Sequence, residues 1–163
     1  MKYLIDRASA ITPKDSLDDL LKSKKSLRIK LGVDPTAPDV TLGWYAILRA
    51  LRKFQDYGHT AVLILGEFTA QVGDPSGKSE TRTQLKENQI DDNSKGVLPI
   101  IKNILNKENL EIVSNKDWLS KLSTSELVHL SSSTTLAQML ERDDFANRYK
   151  EGNPISLMEF FYP

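Results

Sequence analysis

The sequence predicts an α/β fold, a parallel sheet with helices packed against it. Three observations predict it. Residues 27–33 alternate like a strand and then turn wholly apolar, residues 42–57 carry apolar side chains at helical spacing, and residues 60–65 form a short buried run. Strand, loop, helix and strand in that order make a βαβ unit. Its crossover is expected to be right-handed. A further strand-like triplet, Glu111-Ile112-Val113, follows a second helical stretch. Strands interleaved with helices favour a sheet covered by helices over an all-α or all-β arrangement.

Each element has a local reason. Residues 16–22 read as a short helix, with Leu17, Leu20 and Leu21 on one side and Ser16 near its start. Leu27 to Val33 is the first strand, and Asp34-Pro35-Thr36-Ala37-Pro38-Asp39 is a loop stiffened by two prolines. In the helix over 42–57, Trp44, Ile47, Leu48, Leu51 and Phe54 share a face, with Arg49, Arg52 and Lys53 off it. Gly58 is placed to end that helix. Thr60–Leu65 is apolar throughout, as expected of a strand buried on both faces of a parallel sheet.

Beyond it, residues 67–96 are polar, with Gly73, Pro75 and Gly77 close together. A long loop is expected there, then a helix to about Asn106 that Pro99 should kink or split. Residues 116–163 read as mostly helical, in pieces near 117–121, 124–130, 134–140, 143–150 and 156–162, with Trp118 as a core anchor. The last piece is apolar and lacks a stop signal. Phe160-Phe161-Tyr162-Pro163 would leave uncovered apolar surface, so the chain reads as truncated, the front portion of a larger domain.

Composition excludes several classes. The 163 residues suit one domain, and 27% charged with 39% hydrophobic residues is ordinary for a globular protein. Lys plus Arg number 22 and Asp plus Glu number 22, so the net charge is zero and a basic, DNA-coating protein is not expected. There is no cysteine, hence no disulfide and no thiolate metal site. The two histidines, His59 and His129, are far apart, and both read as packing or helix residues, not as zinc ligands. No apolar run is long enough to span a bilayer, and charge interrupts the N-terminus at once, unlike a secretory signal. A cytoplasmic protein with no membrane partner is expected.

Two segments could carry chemistry. Asp34 and Thr36 follow the first strand, where ligands of open α/β sheets sit, and just before a helix N-terminus whose free N–H groups favour phosphate. Thr41 can cap that helix, and Gly43 would let a flat base approach the backbone. The same residues would also suit an ordinary capped turn. The second segment, Gly73-Asp74-Pro75-Ser76-Gly77-Lys78-Ser79, is one residue short of a P-loop between its glycines. Asp74 would repel phosphate, and Pro75 lacks the N–H a phosphate cradle needs. Asp74 suits a ligand's ammonium group, while Lys78 and Arg82, four apart, suit a polyphosphate. A solvated turn with a charged helix is the alternative. The Glu141-Arg142-Asp143-Asp144 run reads as solvated charge, with Asp143 as a cap.

At these residues the chain resembles the bacterial tyrosyl-tRNA synthetases. Lys30 to Asp39 is similar to that family's first nucleotide-binding strand and loop. Phe54-Gln55-Asp56-Tyr57-Gly58-His59, the 73–79 segment, Met139 to Phe145 and Met158-Glu159-Phe160 match in the same order. The likeness runs from about residue 26 to the end. Lys30 resembles the subgroup in which lysine replaces a substrate-contacting tyrosine. The resemblance implies a class I, Rossmann-type catalytic domain, incomplete at its C-terminus, with a connective and dimerisation region at about 116–155. It implies a homodimer that joins tyrosine to ATP, with Mg2+, and then moves tyrosine to tRNA(Tyr). It places Asp34, Pro35 and Thr36 near the adenylate and phosphates, and Gly43 under the adenine. Asp74 would hold the tyrosine ammonium with Tyr162 beside it, Asn115 would line the tyrosine side, and Lys78 and Arg82 would clasp pyrophosphate.

Two departures follow from the same comparison. Thr41-Leu42-Gly43-Trp44 stands where the family has His-x-Gly-His, so both imidazoles are replaced. Loss of one preorganised donor can lower a rate by about 10²–10³-fold. Thr41 keeps a shorter-reaching donor, whereas the Trp44 indole has one N–H and more bulk. The phenol-reading glutamine and aspartate, the KMSKS loop and the tRNA-binding parts of the family have no counterpart within these residues. The 163-residue chain is therefore expected not to aminoacylate tRNA by itself, and a non-catalytic nucleotide-binding relic is the competing expectation.

Overall fold

The computed structural model describes residues 5–13, 20, 23, 25–72 and 85–162. Of the helix expected over 16–22 only Leu20 is among the described residues, and Asp74, Lys78 and Arg82 lie outside them. Three strands, β1 (Arg28–Val33), β2 (Thr60–Leu65) and β3 (Leu110–Ser114), form a parallel sheet in the order β1-β2-β3. Register runs from Arg28 opposite Thr60 to Val33 opposite Leu65, and from Ala61 opposite Leu110 to Leu65 opposite Ser114. The central strand is apolar because both of its faces are covered: Ala61, Leu63 and Leu65 are buried in the main core cluster. On β1, Arg28, Lys30 and Gly32 are exposed while Ile29, Leu31 and Val33 are half-buried, which accounts for its alternation.

Helix α1 (Leu42–Asp56) links β1 to β2. Thr41 caps it, its hydroxyl oxygen accepting from the Trp44 N–H at 3.3 Å, and Gly58 turns the chain out at φ +87°, where a side chain would be strained. Leu48 and Leu51 bury against the sheet, each contributing about 1.5–3 kcal/mol by leaving water. Gln55, not Phe54, completes the buried stripe. Its amide donates to the carbonyls of Asn106 and Asn109, both at 2.9 Å, and its oxygen accepts from the Asn106 N–H at 2.8 Å. Ile47 departs from the expected core face and is 53% exposed. His59 is a packing residue: its Nδ1 accepts from the Leu27 N–H at 3.2 Å.

A short helix, α2 (Thr69–Val72), follows β2. Helix α3 (Glu87–Ile104) then runs unbroken through Pro99. Pro99 and Lys95, whose carbonyl loses a donor, are both exposed, so water can satisfy the vacancy while Val97 and Ile101 stay buried on the opposite side. Gly96 lets α3 approach the proline loop, since a Cβ there would lie 2.6 Å from the Pro38 carbonyl oxygen.

The remainder comprises α4 (Lys116–Leu119), α5 (Thr124–Ser131), α6 (Leu136–Met139), α7 (Asp143–Lys150) and a 3₁₀ turn at Leu157–Phe161. Capping boxes at Ser123/Glu126, Thr135/Gln138 and Ser156/Glu159 start three of these pieces. Asp143 is the first residue of α7 and Arg142 takes the cap position, correcting the expected Asp143 cap. His129 is an exposed residue of α5. Arg148 of α7 and Glu159 of the 3₁₀ turn form a buried ion pair, and Phe145 packs on Phe160 with ring centroids 4.8 Å apart. These contacts fix the last segment against α7.

Candidate active site

Every strand of a parallel sheet ends on the same side, and here the three ends are joined by side-chain hydrogen bonds. β1 runs into Asp34, β2 into Gly66 and β3 into Asn115. The Asn115 amide is buried. Its oxygen accepts from the Phe68 N–H at 2.9 Å, and its nitrogen donates to the Thr69 hydroxyl at 3.0 Å. Thr69 donates in turn to Asp34 Oδ1 at 2.8 Å. The other carboxylate oxygen, Asp34 Oδ2, accepts from the Tyr162 hydroxyl at 2.7 Å. Four residues from four segments thus form one continuous chain of hydrogen bonds.

Gly66 makes room for it. A Cβ at that position would lie 1.7 Å from Asp34 Oδ1 and 2.6 Å from the Thr69 hydroxyl. The proline loop is fixed from the other side. The Pro35 side chain is fully buried, its carbonyl accepts from Asn93 Nδ2 at 3.0 Å, and the Thr36 N–H donates to the Asp34 carbonyl at 2.8 Å.

These residues border a cleft of about 820 Å³. Asp34, Thr36, Trp44, Thr69, Asn115 and Tyr162 all line it. So do Lys30 and Gly32 from β1, Ile47 from α1, Trp118 and Leu119 from α4, and Arg142. Pro35, Thr41 and Gly43 lie on the adjoining loop and helix start, and Thr41 and Gly43 are exposed. Trp118 is no core anchor. It is 45% exposed and forms part of the cleft wall, as does Ile47.

The lining charges are Lys30, Arg142 and Asp34. Arg142 is paired with Asp144 at 3.1 Å. Burial alone would push the Asp144 carboxyl up, but hydrogen bonds and charge from Arg142, with backbone N–H groups, hold it below the usual carboxylate range. Among the described residues, no cluster of three or more His, Cys, Asp or Glu side chains could hold a metal ion, and no helix is long and apolar enough to cross a membrane. The arrangement suits a ligand with a flat apolar part against the two indoles and polar ends at the strand termini.

Sequence reasoning passed over Thr69, Gly66, Trp118 and Arg142 as contributors to this cleft. The available signal was positional. Gly66 and Thr69 sit at the turn directly after the central strand, where the topology places ligand contacts.

Comparison with known proteins fits this geometry. Residues 22–163 match the family model described as tRNA synthetases class I (W and Y). A tyrosine–tRNA ligase of Carboxydothermus hydrogenoformans is 48% identical over 157 residues, covering 94% of this chain and 38% of that protein. The Thermotoga maritima tyrosine–tRNA ligase is 48% identical over 163 residues, covering 100% of this chain and 41% of the relative. The chain therefore spans about two fifths of the length of the curated relatives it matches. Among solved structures, a C-terminally truncated mitochondrial tyrosyl-tRNA synthetase of Aspergillus nidulans superposes with TM-score 0.76 at 25% identity, covering 91% of this chain and 46% of that one. A Rossmann-type sheet whose three strand ends open on one cleft, and a family match across residues 22–163, lead to one conclusion: this chain belongs to the class I tRNA synthetases of the tryptophan and tyrosine group.

Proposed function

We infer that the chain is the front part of the catalytic domain of a tyrosine–tRNA ligase, and that its cleft receives tyrosine and ATP. The observation that carries this reading is the hydrogen-bonded row Asn115–Thr69–Asp34–Tyr162 on the cleft. It sets polar groups where the strands end, beside the first turn of α1. That first turn has no acidic side chain, and the Leu42 and Gly43 N–H groups lack helical partners, which favours a polyphosphate there.

In the proposed reaction the tyrosine carboxylate attacks the α-phosphorus of ATP, the bond to the bridging oxygen breaks, and pyrophosphate leaves. The tRNA terminal hydroxyl then attacks the tyrosyl carbonyl and AMP departs. Asp34 and Thr36 would flank the adenylate, Gly43 would lie under the adenine, and Asn115 and Tyr162 would border the tyrosine. Asp74 would take the ammonium group, with Lys78 and Arg82 on pyrophosphate. Thr41 Oγ accepts the capping hydrogen bond, leaving its proton to donate toward phosphate. Mg2+ would enter with the nucleotide as substrate: Asp34, the one acidic lining residue among those described, already receives two hydroxyl donors. Residues 116–155 would form the connective and dimerisation region of a cytoplasmic homodimer, and tRNA(Tyr) would be the third substrate.

The replacement of both imidazoles by Thr41 and Trp44 favours a second reading, a relic that binds nucleotide without turnover. Tyrosine-dependent ATP–pyrophosphate exchange separates the two. The assay uses a chimera in which the Thermotoga maritima relative supplies the residues beyond 163. Exchange supports the ligase. ATP binding without exchange supports the relic. The 163-residue chain alone is expected to leave tRNA uncharged.

A further inference from the structure

The Thr69 hydroxyl has one proton and lies between three groups. It accepts from Asn115 Nδ2 at 3.0 Å, and two acceptors compete for its proton, Asp34 Oδ1 at 2.8 Å and the Gly66 carbonyl at 3.2 Å. The shorter contact goes to the charged acceptor, which takes the stronger bond. Asn115 has its oxygen held by the Phe68 N–H, so its amide cannot flip away and it must donate toward Thr69. The direction of the whole row is therefore set: Asn115 gives to Thr69, Thr69 gives to Asp34, and Tyr162 gives to the remaining carboxylate oxygen.

We propose that Thr69 is a positioning residue. Its hydroxyl orients the Asp34 carboxylate so that Tyr162 can seat on it, making Asp34, Asn115 and Tyr162 one unit on the amino-acid side of the cleft. Gly66 is part of the device, because any side chain there would occupy the volume of the Asp34 oxygen. Without the Thr69 donor the carboxylate can rotate about its last torsion, which is soft for aspartate, and the Tyr162 acceptor moves with it. The proposal rests on the reading that the cleft binds tyrosine, so its test has one arm with ligand and one without.

The chain has two tryptophans, Trp44 and Trp118, and both line the cleft. Intrinsic fluorescence therefore follows occupancy by added L-tyrosine, excited at the red edge where tyrosine does not absorb. Thr69→Val keeps shape and removes the hydroxyl. Thr69→Ser restores it. The expected result is about tenfold weaker tyrosine binding for Thr69→Val, recovered to within about twofold by Thr69→Ser. Because both donors serve one carboxylate, Thr69→Val combined with Tyr162→Phe should bind no more than about twofold worse than the weaker single variant. In the ligand-free arm, amide hydrogen exchange over residues 157–162 should quicken in Thr69→Val and return to the wild-type rate in Thr69→Ser. Unchanged affinity and unchanged exchange in Thr69→Val would overturn the proposal, as would additive losses in the double variant. Failure of both the wild-type chain and the chimera to bind tyrosine would overturn the functional reading, and the exchange arm would still decide whether Thr69 holds Tyr162 in place. Melting curves for every variant identify loss of fold, and Thr69→Ser carries the decision where Thr69→Val melts early.

Discussion

Glu159→Gln should destabilise the fold strongly at neutral pH and progressively less as the pH falls into the acid range. Glu159 and Arg148 are 5% and 7% exposed, and the pair is joined by hydrogen bonds from both terminal guanidinium nitrogens. The same carboxylate caps the 3₁₀ turn, accepting from the Ser156 N–H at 3.0 Å. Removing the negative charge leaves a buried cation facing a neutral amide, a change of about 3–5 kcal/mol. At about 2–4 °C per kcal/mol for a chain of this size, the midpoint should fall by about 6–20 °C. The pH dependence has a definite sign. Hydrogen bonding from Arg148, outweighing burial, holds the Glu159 carboxyl below its ordinary value. Its contribution is thus fully present above the unfolded value of about 4.3 and is lost as pH falls through the lower folded value. The gap between the wild-type and Glu159→Gln midpoints should narrow steadily as the pH falls below about 4.3. Replacing both partners, Arg148→Met with Glu159→Met, should recover part of the loss, short of about 1 kcal/mol each for the Pro154 carbonyl that Arg148 also satisfies and the Ser156 N–H that Glu159 caps. Thermal melts by circular dichroism between pH 3 and pH 8 test this. A Glu159→Gln midpoint within about 2 °C of wild type at pH 7, or a gap that persists unchanged into acid, would refute the reasoning.

Gly96→Ala should lower stability by about 1–2 kcal/mol, because a Cβ 2.6 Å from a backbone oxygen outweighs the roughly 0.5–1 kcal/mol gained from alanine in a helix. An equal or higher midpoint in denaturant titration would contradict the close approach of α3 to the proline loop. In the chimera, Thr41→His with Trp44→His should raise tyrosine-dependent pyrophosphate exchange by about 10²-fold or more. No change in that rate would show that the helix start does not face the reacting phosphates.

The fold was legible where periodicity is decisive. β1, α1, β2 and α7 lie within a residue or two of where patterning puts them, because each buries a whole face or stripe. The helix around Pro99 is not split, and the exposed position of Pro99 and Lys95 lets water serve the carbonyl left without a donor. Trp118 and Ile47 misled because a large apolar residue reads as core, yet a cleft wall uses the same residue types. His59 read correctly as a packing residue from its place after the helix-ending glycine. Asn115 and Tyr162 could be singled out only through family likeness, since nothing local to either residue marks it. Thr69 had no signal beyond its place after a strand. Its role comes from side chains 35 and 46 positions away, and no window of sequence holds both.

The hydroxyl of Tyr162 meets the Asp34 carboxylate across 128 positions. A ribosome adding about 5–20 residues each second needs about 6–26 s to make that stretch. During this interval the βαβ corner can already fold locally, while its carboxylate waits for a donor not yet synthesised. Closing so long a loop brings most of its entropic penalty before any reward. That corner therefore matures after the βαβ unit, so a nascent chain can be compact well before the Asp34 end of its cleft is complete.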